Sequence, residues 1–193
     1  MQTLGLSDST PRTESRLKSL FWPTIKNDGD LDYLTEQAFW ICAIVAAVSE
    51  GFSALGGHPF LGLLDSVFFF LGGVGMRMRS RAAAVLAFGV YLLSGIVLQI
   101  TVGQGFNIIR MIFLALLLAN IRGMWLSASW SKSETEPPPV RLNETWRDKL
   151  SDQLPPVLWP KTRWLFFVVA GIEVLALLLQ LFPIAPAGSG PAA

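Results

Sequence analysis

The stretch FLGLLDSVFFFLGGVGMRMRSRAAAVLAFGVYLLSGIVLQITV, residues 60–102, decides the fold. It sets two apolar runs, 60–76 and 82–102, on either side of a short segment carrying Arg77, Arg79 and Arg81. About 20 apolar residues cross the hydrocarbon core of a bilayer as an α-helix. The second run meets that length. The first is short, but its flanks are those of a tight span: a Gly56-Gly57-His58-Pro59 turn before it and the arginines after it. Cytoplasmic loops collect Lys and Arg, so the arginine loop is expected on the cytoplasmic side.

Three more apolar runs lie outside this hairpin, at 38–55, 106–125 and 164–182. The alternation of charge tests the resulting count of five. All but one of the 15 Lys and Arg residues fall in the N-terminal arm, in the arginine loop, or between the fourth and fifth runs. Arg110 alone falls on the other side, and four or six spans would break the pattern. Tryptophan prefers the membrane–water interface. All seven tryptophans fall on the side marked by the arginines, with Trp22, Trp40, Trp125, Trp159 and Trp164 as interface anchors. The expected fold is therefore all-α: a polytopic integral membrane protein with a bundle of five transmembrane helices. It is expected in the inner (cytoplasmic) membrane, N-terminus cytoplasmic and C-terminus outside.

Composition agrees with this class. Charged residues make up 15% of the chain and hydrophobic ones 52%, where a soluble domain carries about 25% charged residues. The net charge of +1 supplies no field to attract nucleic acid, so the expected surroundings are the lipid bilayer and other membrane proteins or further copies of the chain. The polar start, Met1 to Pro11, lacks a basic segment followed by an apolar core, so the first span is expected to direct insertion. Cys42, the single cysteine, lies inside an apolar run and reads as a packing residue.

The chain divides into an N-terminal arm (1–37), a four-span region (38–126), a cytoplasmic loop (127–163), a fifth span (164–182) and a small, uncharged tail (183–193) predicted to be disordered. Leu17, Leu20 and Phe21 at helical spacing predict an amphipathic helix over 15–22, lying on the inner leaflet and stopping at Trp22-Pro23. Asp28-Gly29 reads as a turn and Asp30 as the N-cap of the first long helix. In the loop, Pro137-Pro138-Pro139 favours extended backbone. Asn143 is expected to cap a second interfacial helix that ends before Pro155-Pro156.

A shift of 45 residues places Asp65 on Arg110, Arg77 on Arg122 and Phe68 on Phe113. Helices 1–2 and 3–4 then read as two copies of one hairpin in the same orientation, with a fifth helix added.

Ionisable residues inside the spans carry the functional information, because a charge at the bilayer centre costs at least about 2.5 kcal/mol. Glu50, Asp65, Arg110, Glu173 and Gln180 form the candidate intramembrane polar cluster. At 1.5 Å per residue, Glu50 and Asp65 lie about 8–9 Å from the outer ends of their helices and Arg110 about 6 Å. Small residues share their faces: Ala43, Ala46 and Ala47 with Glu50, Gly62 and Gly72 with Asp65, Ala170 and Ala176 with Glu173. Such faces pack against other helices. Two readings compete: a polar cavity for an ion, a proton or a small polar ligand, and a purely structural cluster in which Arg110 pairs with Glu50 or Asp65.

Other patterns carry less. Asp28, Asp30 and Asp32 mimic the start of a calcium loop, but Tyr33 and Phe39 occupy the positions that need glycine and glutamate. Asn143-Glu144-Thr145 fits a glycosylation triplet on the wrong side of the membrane, and His58 is a lone turn histidine. Gly72-Gly73-Val74-Gly75 lies in a span and reads as close helix packing. No motif implies a cofactor, a metal or a catalytic residue. The sequence favours a non-enzymatic subunit, scaffold or assembly factor, with a small carrier or channel component second and an enzyme acting on lipid substrates third.

Overall fold

The computed structural model describes residues 15–25, 28–57, 59–103, 105–128 and 146–181. Several expectations lie outside these residues: the extended Pro137-Pro138-Pro139 segment, the Asn143 cap and its glycosylation triplet, His58, and the tail from 183. Six helices follow in order: α1 (Arg16–Phe21), α2 (Asp28–Leu55), α3 (Pro59–Arg77), α4 (Arg81–Val102), α5 (Ile108–Ser127) and α6 (Trp146–Leu181). The chain is all-α, with no strand among the described residues. Asp28–Leu55, Arg81–Val102, Ile108–Ser127 and Lys149–Leu181 are long and apolar enough to cross a membrane.

The ends of these helices follow from local chemistry. Ser15 caps α1, and Trp22 ends it ahead of Pro23. Asp28 and Asp30 both sit in the first turn of α2, where the helix dipole favours negative charge. The predicted Asp28-Gly29 turn is thus already helix, and Asp30 is buried within it. Gly57, at φ 79°, reverses the chain, and Pro59 opens α3 at the position where its missing N–H is harmless. Between α3 and α4 the backbone turns through Arg79 at φ 57°, and Ser80 caps α4 by accepting from the Ala83 N–H at 3.3 Å. Gly103 closes α4 in the left-handed region, and Asn107 caps α5 by accepting from the Arg110 N–H at 2.8 Å.

Helix α3 is the hub. It runs antiparallel to α2 along its whole length, and also packs against α4 and α6. The register is fixed at three levels. A Cβ at Gly62 would lie 2.8 Å from Ser53 Oγ. The Ser66 hydroxyl donates to the Ala46 carbonyl at 2.6 Å. A Cβ at Gly73 would lie 2.9 Å from that of Cys42. The Gly72-Gly73-Val74-Gly75 run packs as its composition predicts: Gly72 abuts Ala87 and Phe166, and Gly75 abuts Ala83 and Trp159. Helix α5 closes a ring by packing on both α2 and α4, and α6 lies against α3 and α4. The hairpins α2–α3 and α4–α5 thereby meet in the cyclic order α2, α3, α4, α5. Phe39, Phe68 and Phe166 are the largest fully buried side chains, and Phe68 stacks on Phe166 at 5.4 Å. Many apolar side chains face outward, among them Phe52, Ile100 and Ile108, as a lipid solvent requires.

Three expectations are corrected. First, the helix predicted to stop before Pro155 does not stop: α6 is one 36-residue helix containing Pro155, Pro156 and Pro160. Proline removes an N–H and so frees the carbonyl four residues back. For Pro155 that carbonyl belongs to Ser151, and it accepts from Arg77 Nε at 3.3 Å. Second, Trp159 is no interface anchor, because it is buried against Gly75 and Phe166; Trp22, Trp125 and Trp164 are exposed and Trp40 is half-buried. Third, α1 does not lie on the membrane alone. It packs on α5, where Arg122 stacks under Trp22 at 4.7 Å and donates to the Pro23 carbonyl at 3.0 Å.

Candidate functional site

Polar side chains collect at both ends of the bundle, in opposite states. At the arginine-rich end they bond to one another. Arg77, its side chain 9% exposed, closes α3 and faces the start of α2 and the proline-rich part of α6. It donates to both carboxylate oxygens of Asp32, at 2.5 and 3.1 Å, to the Asp32 carbonyl at 3.0 Å and to the Thr35 hydroxyl at 2.9 Å. From the other side it meets the Asp152 carboxylate and the Ser151 carbonyl. Arg79 adds a bidentate pair with Asp28, both bonds 2.8 Å. Three helices are thereby tied at one point. Sequence reading counted Arg77 only as a loop charge, although Asp32 and Thr35, three residues apart on one helix face, were a visible signal.

At the opposite end the polar side chains surround space. A cavity of about 370 Å³ lies among all five long helices. Asp65 enters it from α3, Glu173 and Gln180 from α6, and Arg110 from α5. Helix α4 contributes Tyr91, Ser94 and Thr101, and α2 contributes Ser49. Thr101 and Gln180 are exposed, as are the flanking Leu98 and Ile172, so the rim lies between α4 and α6 away from the arginines. Apolar walls come from Phe69, Val90 and Leu177.

The charges in this cavity do not neutralise one another by contact. The Asp65 and Glu173 carboxyls lie within hydrogen-bonding reach of each other. The charge of Arg110 reaches Asp65, yet among the described residues Arg110 forms no ion pair with Glu50, Asp65 or Glu173. Its guanidinium lies over the Tyr91 ring at 5.0 Å. It is also pressed against Gly95, where an added Cβ would sit 2.8 Å from Nη1. That Nη1 is buried without a hydrogen-bond partner. The expected pairing of Arg110 with Glu50 or Asp65 is therefore absent. The physical reason is local: the aromatic ring and the flush backbone of α4 hold the guanidinium away from the acids.

Of the five predicted cluster residues, Asp65, Arg110, Glu173 and Gln180 line the cavity and Glu50 does not. Glu50 sits at the tight crossing of α2 on Gly62, with Oε2 buried and unpartnered. Tyr91, Ser94 and Thr101 were missed. Spaced by three and seven residues, they form a polar stripe on one face of an otherwise apolar helix, and that periodicity was available. The hydroxyls of Ser94 and Thr101 donate to the Tyr91 and Val97 carbonyls, both at 2.9 Å. Their oxygens are left free to accept.

Among the described residues no three His, Cys, Asp or Glu side chains are grouped to hold a metal ion, and Cys42 is free and buried. Comparison with protein-family models, with curated proteins and with solved structures finds no match. The protein is thus a polytopic helical membrane protein, and its role has to be argued from its own geometry.

Proposed function

We propose that this chain is a small carrier or channel component whose cavity, lined by Asp65, Glu173 and Arg110, holds a polar ligand within the membrane. One observation carries the reading: opposite charges share a void without pairing across it. A purely structural cluster would bring an intramembrane acid and base into contact, because an unpaired charge in lipid is costly. The void is of the size that takes a small molecule, about 300–1,000 Å³ for typical sites. The charge distribution of the loops supports an orientation with the arginine-rich end on the cytoplasmic side of the inner membrane. The cavity then lies in the outer half of the bilayer. A subunit or scaffold role would need neither the void nor the separated charges.

Water access to the cavity tests this. Ala176 lines it without adding a polar group, so Ala176→Cys, with Cys42→Ala to remove the native thiol, reports on its contents. A membrane-impermeant methanethiosulfonate reagent is expected to modify Ala176→Cys from the side of the 103–107 loop and not from the arginine side. Absence of modification from either side would mean a dry interior and would leave the scaffold reading in its place.

A further inference from the structure

The ligand class can be derived from how the charges are arranged; the inference rests on the cavity being a binding site. We infer that the cavity is built for a small zwitterion, its ammonium group held by Asp65 and Glu173 and its anionic group by Arg110.

Two carboxyl groups within hydrogen-bonding reach, in a poorly solvated site, are stable only with a proton or a cation between them. They present one net negative charge to a ligand, and an ammonium group satisfies it with directed N–H bonds. The oxygens of Ser94 and Thr101, whose own hydrogens are committed to backbone carbonyls, add acceptors on the facing helix. Among the described residues no second cationic side chain lines the cavity. Arg110 supplies the complementary half. Its buried Nη1 has an unused donor, and Tyr91 and Gly95 fix the guanidinium so that it does not collapse onto the acids. A ligand with only a positive charge would leave Arg110 unbalanced in the bilayer, and an anion would leave the carboxyls unbalanced. An ion carrying both charges a few bonds apart balances both. The apolar rim residues Leu98 and Ile172 accommodate carbon attached to such a group.

This chemistry has two sources, a free amino acid-like solute and the headgroup of an ethanolamine lipid, and the experiment separates them. Ala176→Cys on the Cys42→Ala background is placed in nanodiscs of phosphatidylcholine and phosphatidylglycerol, and its rate of reaction with N-ethylmaleimide is followed. The probes are β-alanine, glycerophosphoethanolamine, ethylammonium and dimethyl phosphate. At about ten times its dissociation constant a ligand leaves about one site in eleven free, so the zwitterions are expected to slow labelling about tenfold. Each single-charge ion is expected to leave the rate nearly unchanged. Arg110→Gln, and separately Asp65→Asn with Glu173→Gln, are expected to abolish the protection. If phosphatidylethanolamine in the nanodisc slows labelling with no solute added, the ligand is the lipid headgroup; if only the soluble zwitterions protect, it is a free solute. Protection by ethylammonium or dimethyl phosphate alone as strong as that by β-alanine overturns the inference. So does labelling that no probe slows in either lipid, although the cavity reading then survives. A cysteine at 176 that never reacts removes both.

Discussion

Replacing Arg77 by methionine keeps the bulk of the side chain and removes the bonds by which its guanidinium joins α3 to α2 and α6 at the arginine-rich end. The Arg77 side chain is 9% exposed, whereas those of Asp32 and Asp152 are 30% and 38% exposed. Removing one partner of a fully buried pair costs about 3–5 kcal/mol. Both carboxylates are partly open to water and keep other interactions, which recovers part of that, since wholly exposed pairs contribute about 1 kcal/mol or less. Pro155 has no N–H to offer the Ser151 carbonyl that Arg77 releases. The expected loss is therefore about 2–3 kcal/mol, between the exposed and buried limits. On the scale of globular chains of this length that is about 5–10 °C in unfolding midpoint. The assay is thermal unfolding in a mild detergent, followed by helical circular dichroism. Adding Asp32→Asn to Arg77→Met should restore part of the loss, because one of the carboxylates that faced the guanidinium is then neutral. Arg77→Lys should remain close to Arg77→Met, since an ammonium cannot span both acids. An unchanged midpoint in Arg77→Met would refute the view that this clamp holds the three helices together.

Three further outcomes are expected. Cysteines at Gln104 and Ser133 should react with an impermeant reagent from opposite sides of the membrane, with Gln104 outside; reaction from one side would overturn the five-span count. Gly73→Ala should destabilise the α2–α3 hairpin by about 1–3 kcal/mol, because the new Cβ meets Cys42 at 2.9 Å and the Phe39 carbonyl at 3.1 Å. Gly171→Ala, with nothing within 4 Å, should be neutral or gain up to about 1 kcal/mol in the same unfolding assay.

What the sequence disclosed and what it withheld divide along a physical line. Features set by one residue's neighbours in the chain were legible. The five long helices followed from apolar run length, the stop at Trp22-Pro23 from proline chemistry, and the close packing of α3 against its neighbours from the Gly72-Gly73-Val74-Gly75 run. The ionisable residues of the cavity stood out because lipid makes charges rare. Features set by distant partners were not legible. Where α6 passes through Pro155, the carbonyl that this proline frees, that of Ser151, is taken up by a side chain 74 residues away on α3. Trp159 obeys packing and not the interfacial preference of its type, because Gly75 leaves room for its ring. Arg110 matches Asp65 in depth and opposes it in charge, yet Tyr91 sets its position, and nothing in depth or charge alone points to that ring. Glu50 shows the same limit, since helical depth gives its level along the bundle but not the side it faces.

The contrast between the two ends bears on what the molecule is for. Each end concentrates arginine and acidic side chains from several helices, so composition alone would predict two similar clusters. At one end Arg77 fills its donors with Asp32, Thr35, Ser151 and Asp152, and three helices close on it. At the other, Arg110 keeps a buried donor unused while two carboxyls stand in the same cavity. If charges were placed in this bundle only to fix helix order, both ends would be bonded in the same way, because an unsatisfied charge lowers stability wherever it sits. The clamp lies where the start of α2, the end of α3 and the proline segment of α6 converge, and it holds these helices at one level. Near their other ends α2, α3 and α6 contribute Ser49, Asp65 and Glu173 to the cavity wall. On the proposed reading, a bundle fastened at one end and left unsatisfied at the other holds its polar cavity open for a ligand.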